Sequence, residues 1–147
     1  MKVGIITMVS DNYGNRLQNY ALQQVLVGLG NRVETLNNPW EENYDYRKEW
    51  LKSNAKKIFY YITRKPVRYR RKLEFEKFNK RNIVFSNFWL NKSSDRLKAA
   101  NFYDLFVCGS DQIWNSEAKE ITGKYFADFA EMDKRASYAA SFGIEEV

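Results

Sequence analysis

KVGIITMVSDNYGNRLQNYALQQVLVGLGNRVETLNN, residues 2–38, decides the fold. Lys2 to Met8 reads as a short buried strand, because Val3, Ile5 and Ile6 are β-branched and the run stops at the polar turn Ser10-Asp11-Asn12. Leu17, Tyr20, Ala21, Val25 and Leu29 then recur at helical spacing from about Asn15 to Leu29, and Gly30 is placed to close that helix as a left-handed cap. Arg32 to Leu36 resumes a strand pattern, stopped by Asn37-Asn38-Pro39. Strand, helix and strand in so short a span make a βαβ unit, which implies parallel pairing and a right-handed crossover.

Outward from this unit the pattern changes. Trp50, Leu51, Ala55, Ile58, Phe59 and Ile62 mark one face of a helix from about Tyr44 to Thr63, with Lys52, Lys56 and Lys57 mostly on the other. Pro66 separates it from a second helical stretch that turns Leu73 and Phe78 toward the core. These two helices, about residues 44–81, read as an insertion in the βα alternation.

Further on, Ile83 to Phe85 is a short strand candidate, and Ser94 to Ala100 a short helix capped by Ser93 or Ser94. Phe102 to Cys108 is a clear buried strand ending at Gly109-Ser110-Asp111, and Arg135 to Ser141 is the last strand, rich in small residues and stopped at Gly143. Four or five strands with interspersed helices favour an α/β, doubly wound layer in one domain, residues 1–147. Because the chain ends directly after a strand, where the alternation calls for a covering helix, a fragment is expected.

Composition narrows the chemistry. With 44% apolar and 16% aromatic residues, 147 residues suffice for one packed core. No apolar run approaches the ~20 residues of a membrane span, and the start lacks a signal peptide's apolar region and cleavage site. A soluble, cytoplasmic chain is expected. Cys108 is the single cysteine and sits in an apolar run, so a buried structural thiol is favoured over a catalytic one. Histidine is absent, which removes any His-based triad, His-containing zinc site or imidazole base from these residues; no metal site is expected.

In an open parallel sheet, ligands bind beyond the carboxyl ends of the strands. Three polar clusters fall there: Ser10 to Asn15, Gly109 to Asn115, and Ser141 to Gly143. The first opens a helix whose initial N–H groups and dipole favour an anion, and Gly14 lets backbone approach a ligand closely. The alternative is that Asn12 and Asn15 only make a turn and cap the helix. No GxGxxG or GxxxxGK[ST] occurs, which speaks against a dinucleotide or P-loop site. In the second cluster, GSDQIWN, Asp111 either serves a ligand or caps a following helix, with function slightly favoured, while core packing is favoured for Trp114.

KVGIITM with DNYGNRLQNYALQQVL, then FYDLFVCGSDQIWN, then KRASYAASFG, in that order and spacing, resemble the N-terminal region of the polysaccharide pyruvyl transferase family. The resemblance implies a Rossmann-like parallel sheet with helices on both faces, forming the N-terminal half of a GT-B-like two-domain transferase whose C-terminal half is absent here. It implies transfer of the enolpyruvyl group of phosphoenolpyruvate, as donor substrate and with no cofactor, onto a sugar hydroxyl to give a pyruvate ketal in cell-surface polysaccharide biosynthesis. Carried over by position, Asn12, Tyr13, Gly14, Asn15 and Gln18, together with Gly109, Ser110, Asp111, Gln112 and Trp114, line the cleft. Arg16 adds a cation and Asp111 is the tentative catalytic candidate, as a base or hydroxyl anchor. The cationic donor pocket and the proton donor are expected outside this chain, and the chain alone is expected to be inactive.

Two other readings stay open: half of a GT-B-like nucleotide-sugar glycosyltransferase, and a non-catalytic saccharide-binding module whose exposed sheet face a homodimer partner covers. Charge bears on partners. Arg47 to Arg81 holds 14 Lys/Arg against 3 Asp/Glu, whereas the rest of the chain is net acidic. KKIFYYIT and RKPVRYRRK mix cations with aromatics, which suits an anionic membrane surface and a lipid-linked saccharide acceptor at the inner face of the membrane. A solvated helix whose apolar side packs on the sheet is the favoured alternative. No nucleic-acid motif accompanies the charge.

Overall fold

The computed structural model describes residues 1–9, 12–39, 46–63, 67–115 and 122–144. The expected turn residues Ser10 and Asp11, the helix start at Tyr44 and Asp45, and Pro66 lie outside them. In chain order the elements are β1 (Lys2–Ile6), α1 (Tyr13–Gly28), β2 (Arg32–Asn37), α2 (Tyr46–Thr63), α3 (Val67–Asn82), β3 (Phe85–Trp89), α4 (Ser93–Phe102), β4 (Leu105–Asp111) and β5 (Arg135–Ala140), with short 3-10 turns at Gly123–Phe126 and Met132–Lys134.

All five strands join one parallel sheet in the order β3-β2-β1-β4-β5. β1 is central: Val3 stands beside Val33 on one side and Leu105 on the other, and Ile5 beside Thr35 and Val107. Alternation along the strands then builds two cores. Val3, Ile5, Val33 and Val107 meet Leu22 and Leu26 of α1 on one face; Ile6, Leu36, Phe106 and Cys108 meet Ala99 of α4, Tyr103, Ile113 and Ala130 on the other. The expected Rossmann-like α/β layer, with helices on both faces, is present.

Helix α1 starts at Asn12, whose side chain accepts from the Gly14 amide at 2.8 Å, and it ends before Gly30, at φ 83° in the left-handed region. Its orientation departs from the apolar spacing. Leu17, Val25 and Leu29 are all more than half exposed, while Asn15, Arg16, Asn19, Leu22 and Gln23 are buried. The apolar recurrence marks the helix correctly but not its inward side. Polar side chains take that side because they have partners: Asn19 Oδ1 accepts from the Thr35 hydroxyl at 3.0 Å, and Gln23 donates to the Asn82 carbonyl and accepts from the Val84 amide.

Other boundaries shift. The strand expected at Ile83 to Phe85 begins at Phe85, and the one expected from Phe102 begins at Leu105, because Phe102 completes α4. Neither Ser93 nor Ser94 caps α4: Lys92 is the cap residue and no side chain bonds there. Asp95 of the first turn instead accepts from the Trp89 amide at 3.1 Å, tying α4 to the end of β3. Phe75 is the buried aromatic of α3, with Leu73 and Phe78 only partly buried. At the sheet edge Ala136 to Ala139 of β5 are exposed.

Candidate functional site

The strand order reverses at β1: the chain winds outward through β2 and β3, then returns to lay β4 and β5 on the other side. Ligand sites in such sheets lie past the carboxyl ends of the strands flanking the reversal, here β1 and β4. Thr7, fully buried just past β1, donates Oγ1 to the Ser110 carbonyl at 3.2 Å and accepts from Gln18 Nε2 at 2.9 Å. Ser110 Oγ in turn donates to Gln18 Oε1 at 2.5 Å. β1, α1 and β4 are therefore closed into one ring of hydrogen bonds with Gln18 as the bridge.

Three residues before Gln18, on the same side of α1, Asn15 donates Nδ2 to Asp111 Oδ2. Asp111 sits at φ 92°, a region that costs a non-glycine residue on the order of 1–3 kcal/mol. Neighbours hold it there. Its carbonyl accepts from the Ile113 and Ser141 amides at 2.8 and 3.0 Å, and its Oδ1 from the Gln112 amide at 2.8 Å. Each carboxylate oxygen so engaged retains a lone pair for a ligand's hydroxyl. Gly109, at φ 119°, lets β5 close on this loop, since a Cβ there would overlap the Tyr138 carbonyl oxygen.

Trp114 is the hydrophobic side of the cluster. Its indole N–H donates to the Tyr125 carbonyl at 3.0 Å, and its ring stacks on Phe126 at 5.1 Å and leans on Phe142 at 5.5 Å. Packing thus accounts for it, as the sequence favours. Gln112 is exposed and accepts from Asn115 at 3.1 Å.

The structure gathers Asn15, Gln18, Ser110 and Asp111 at the switch point and separates two residues grouped with them in sequence. Tyr13 and Arg16 leave α1 on the side that faces α3, where the Tyr13 ring lies 4.7 Å from Phe75 and the Arg16 guanidinium 5.5 Å from the same ring. Asn12 and Gly14 form the helix cap itself. Thr7 was not among the residues picked from sequence; its signal is that it is the first polar residue after the β-branched run of β1.

Cys108 is buried beneath the site, and burial pushes its thiol up to about 11 against the opposing charge of Arg135. It is a structural thiol. Among the described residues no group of three or more Cys, Asp or Glu is placed to hold a metal ion, and no helix is long and apolar enough to cross a membrane.

Fold and site together define a Rossmann-like α/β domain with a hydrogen-bonded polar cluster at the switch point of its sheet. A sequence model of the polysaccharide pyruvyl transferase family matches residues 12–147. The chain belongs to that family. No curated protein and no solved structure matches it.

Proposed function

We propose that this chain forms one wall of the active site of an enzyme that transfers the enolpyruvyl group of phosphoenolpyruvate to a saccharide, in the cytoplasm, for cell-surface polysaccharide synthesis, with a GT-B-like second half opposite. Asp111 is the observation that carries the site: a carboxylate kept in a costly backbone conformation, oriented by Asn15 and its own loop, at the edge where a parallel sheet collects ligands. Family membership supports the reaction class.

Ketal formation requires that C3 of the enolpyruvyl group gain a proton, that two sugar oxygens bond to C2, and that the C2–O bond to phosphate break. Of the two protons lost by the sugar hydroxyls, one balances the proton placed on C3 and the other leaves on phosphate. Asp111 accepts and orients those hydroxyls, with Ser110 and Gln112 beside it, and Trp114 walls the loop. The test uses the full-length gene product with phosphoenolpyruvate and a panel of saccharides, reading phosphate release and the new methyl signal of the ketal. Asp111→Asn is expected to slow turnover by about 100- to 10,000-fold. Asp111→Gly relieves the backbone cost while losing the carboxylate bonds, so stability moves by no more than about 1 kcal/mol as activity disappears. Transfer from a sugar nucleotide instead, or no ketal with any acceptor, overturns the reading.

A lipid-linked acceptor fits the second feature. On α2, Trp50, Leu51, Ile58 and Phe59 are each more than half exposed, which overturns the expectation that this apolar side packs on the sheet. Lys48, Lys52 and Lys56, also exposed, recur along the border of that apolar arc. Apolar side chains flanked by a row of cations form the pattern of a helix lying in an anionic membrane surface.

A further inference from the structure

The side of α1 turned away from the strand ends faces α3 across a cleft of about 330 Å³. Phe75, 4% exposed, forms its floor, and Tyr13 and Phe78 its aromatic walls. Two guanidiniums approach the same Phe75 ring, Arg16 at 5.5 Å and Arg71 at 5.7 Å, and Arg81 completes the lining from the last turn of α3. Among the described residues Glu74 is the one carboxylate in the lining, and Lys77 holds it at 2.7 Å. The balance of the lining is therefore cationic.

The low-dielectric walls of a cleft concentrate the potential of the cations that line it. An anion entering the cleft meets that potential and the donors of three guanidiniums. Guanidinium presents a planar fork of donors that matches phosphate oxygens two at a time. Aromatic walls supply what a bare ion does not use, a flat apolar surface for a ring. A volume near the lower end of small-molecule pockets has room for one phosphate and one ring.

We infer that the α1–α3 cleft binds an organic phosphate that carries a ring, a sugar phosphate or a nucleotide, through Arg16, Arg71 and Arg81. The site stands apart from the pyruvyl-transfer reading, because it requires only the cleft and its charges. α1 joins the two places: Asn15 and Gln18 look to the strand ends, and Tyr13 and Arg16 to the cleft.

The experiment is calorimetric titration of the full chain with glucose 1-phosphate, uridine monophosphate, inorganic phosphate and glucose. Glucose 1-phosphate or the nucleotide is expected to bind, whichever is tighter naming the ring, with inorganic phosphate weaker and glucose silent. Raising salt weakens the binding. Arg71→Glu, on an exposed residue, is expected to lower affinity by about tenfold to a hundredfold with a cooperative melting transition retained, and Arg81→Glu gives a second, independent reading. Equal binding of glucose and glucose 1-phosphate overturns the inference. So does the absence of binding by both ring phosphates, or full affinity in both variants. None of these readouts involves ketal formation, so failure of the transferase reading would leave this result standing, and the reverse holds equally.

Discussion

Helices α1 and α2 break the usual amphipathic rule in opposite directions. α1 turns Asn15, Asn19 and Gln23 inward and leaves Leu17 and Val25 in solvent; α2 leaves Trp50, Leu51, Ile58 and Phe59 in solvent with no extensive packing against another element among the described residues. In α1 the inversion is stabilised by hydrogen bonds to β2, to β4 and to Val84 just before β3, so the polar face belongs to the body of the protein. In α2 the apolar side chains Trp50, Leu51, Ile58 and Phe59 stay more than half exposed. Hydropathy locates both helices and misplaces the inner side of both, because side-chain partners, rather than mean polarity, decide which face a neighbouring element accepts.

The sharpest way to break this comparison lies within α1. Leu22 is buried against Val3, Ile5, Val33 and Val107, so Leu22→Ala should cost about 2–5 kcal/mol in urea unfolding. Val25, 61% exposed, should tolerate Ala within about 0.5 kcal/mol. Equal losses at the two positions would mean that the apolar spacing identifies the packed face after all. A smaller effect is expected at the polar contact. Asn19 is 1% exposed and accepts from Thr35, so Asn19→Ala strands a buried hydroxyl and should cost about 1–3 kcal/mol. Adding Thr35→Val removes the stranded group and should recover part of the loss, a coupling that a double-mutant cycle measures.

Titration separates the closed sheet from the open helix as well. The Cys108 thiol is pushed from 9.0 up to about 11 by burial, and burial with the Glu34 hydrogen bond pushes the Tyr103 phenol above its ordinary value in the same sense. Folding thus favours the protonated form of both. Their contribution is whole below the unfolded pKa and is lost as pH rises, for Cys108 through the window from about 9 to 11. Stability should fall across that window, and Cys108→Ala should flatten its cysteine component. A thiol reagent at pH 7 should react with Cys108 only as the protein unfolds.

Much of the fold is legible in the sequence because strand burial follows from side-chain type alone: the β-branched run of β1 and the apolar run of β4 have no other home than a sheet covered on both faces. The grouping of the candidate residues is legible in part: strand ends bring Asn15, Ser110 and Asp111 together, the family resemblance adds Gln18, and hydrogen bonds join Asn15 to Asp111 and Gln18 to Ser110. What escapes is whatever depends on a helix's rotation about its axis. Arg16 sits one residue from Asn15, yet a 100° step carries it to the other side of α1 and onto Phe75. The cleft it lines required knowing that α3 lies there, and no periodicity in the strongly polar α3 announces that. Serine before a helix is an ordinary cap signal, but at α4 the competing bond of Asp95 to Trp89 sets the local geometry.

The smallest expected change in stability is the one that says most about α2. Replacing Trp50, Leu51, Ile58 and Phe59 together by Ser removes apolar surface that the fold does not bury, so the unfolding midpoint should move by no more than about 1 kcal/mol once the modest helix-propensity cost is included. Binding should respond instead. Vesicles containing phosphatidylglycerol are expected to retain the native chain, phosphatidylcholine vesicles to retain far less, and the fourfold variant to be lost from both. Lys48, Lys52 and Lys56 changed to Gln should weaken only the anionic arm, in proportion to the roughly 1 kcal/mol that each cation near the headgroups contributes. If the apolar substitutions destabilise the fold as Leu22→Ala does, then α2 packs its apolar side in solution and the contrast with α1 disappears. If they leave both stability and vesicle binding untouched, the exposed arc has some other partner and the membrane reading fails. Only unchanged stability with lost binding assigns that face to a surface outside the protein.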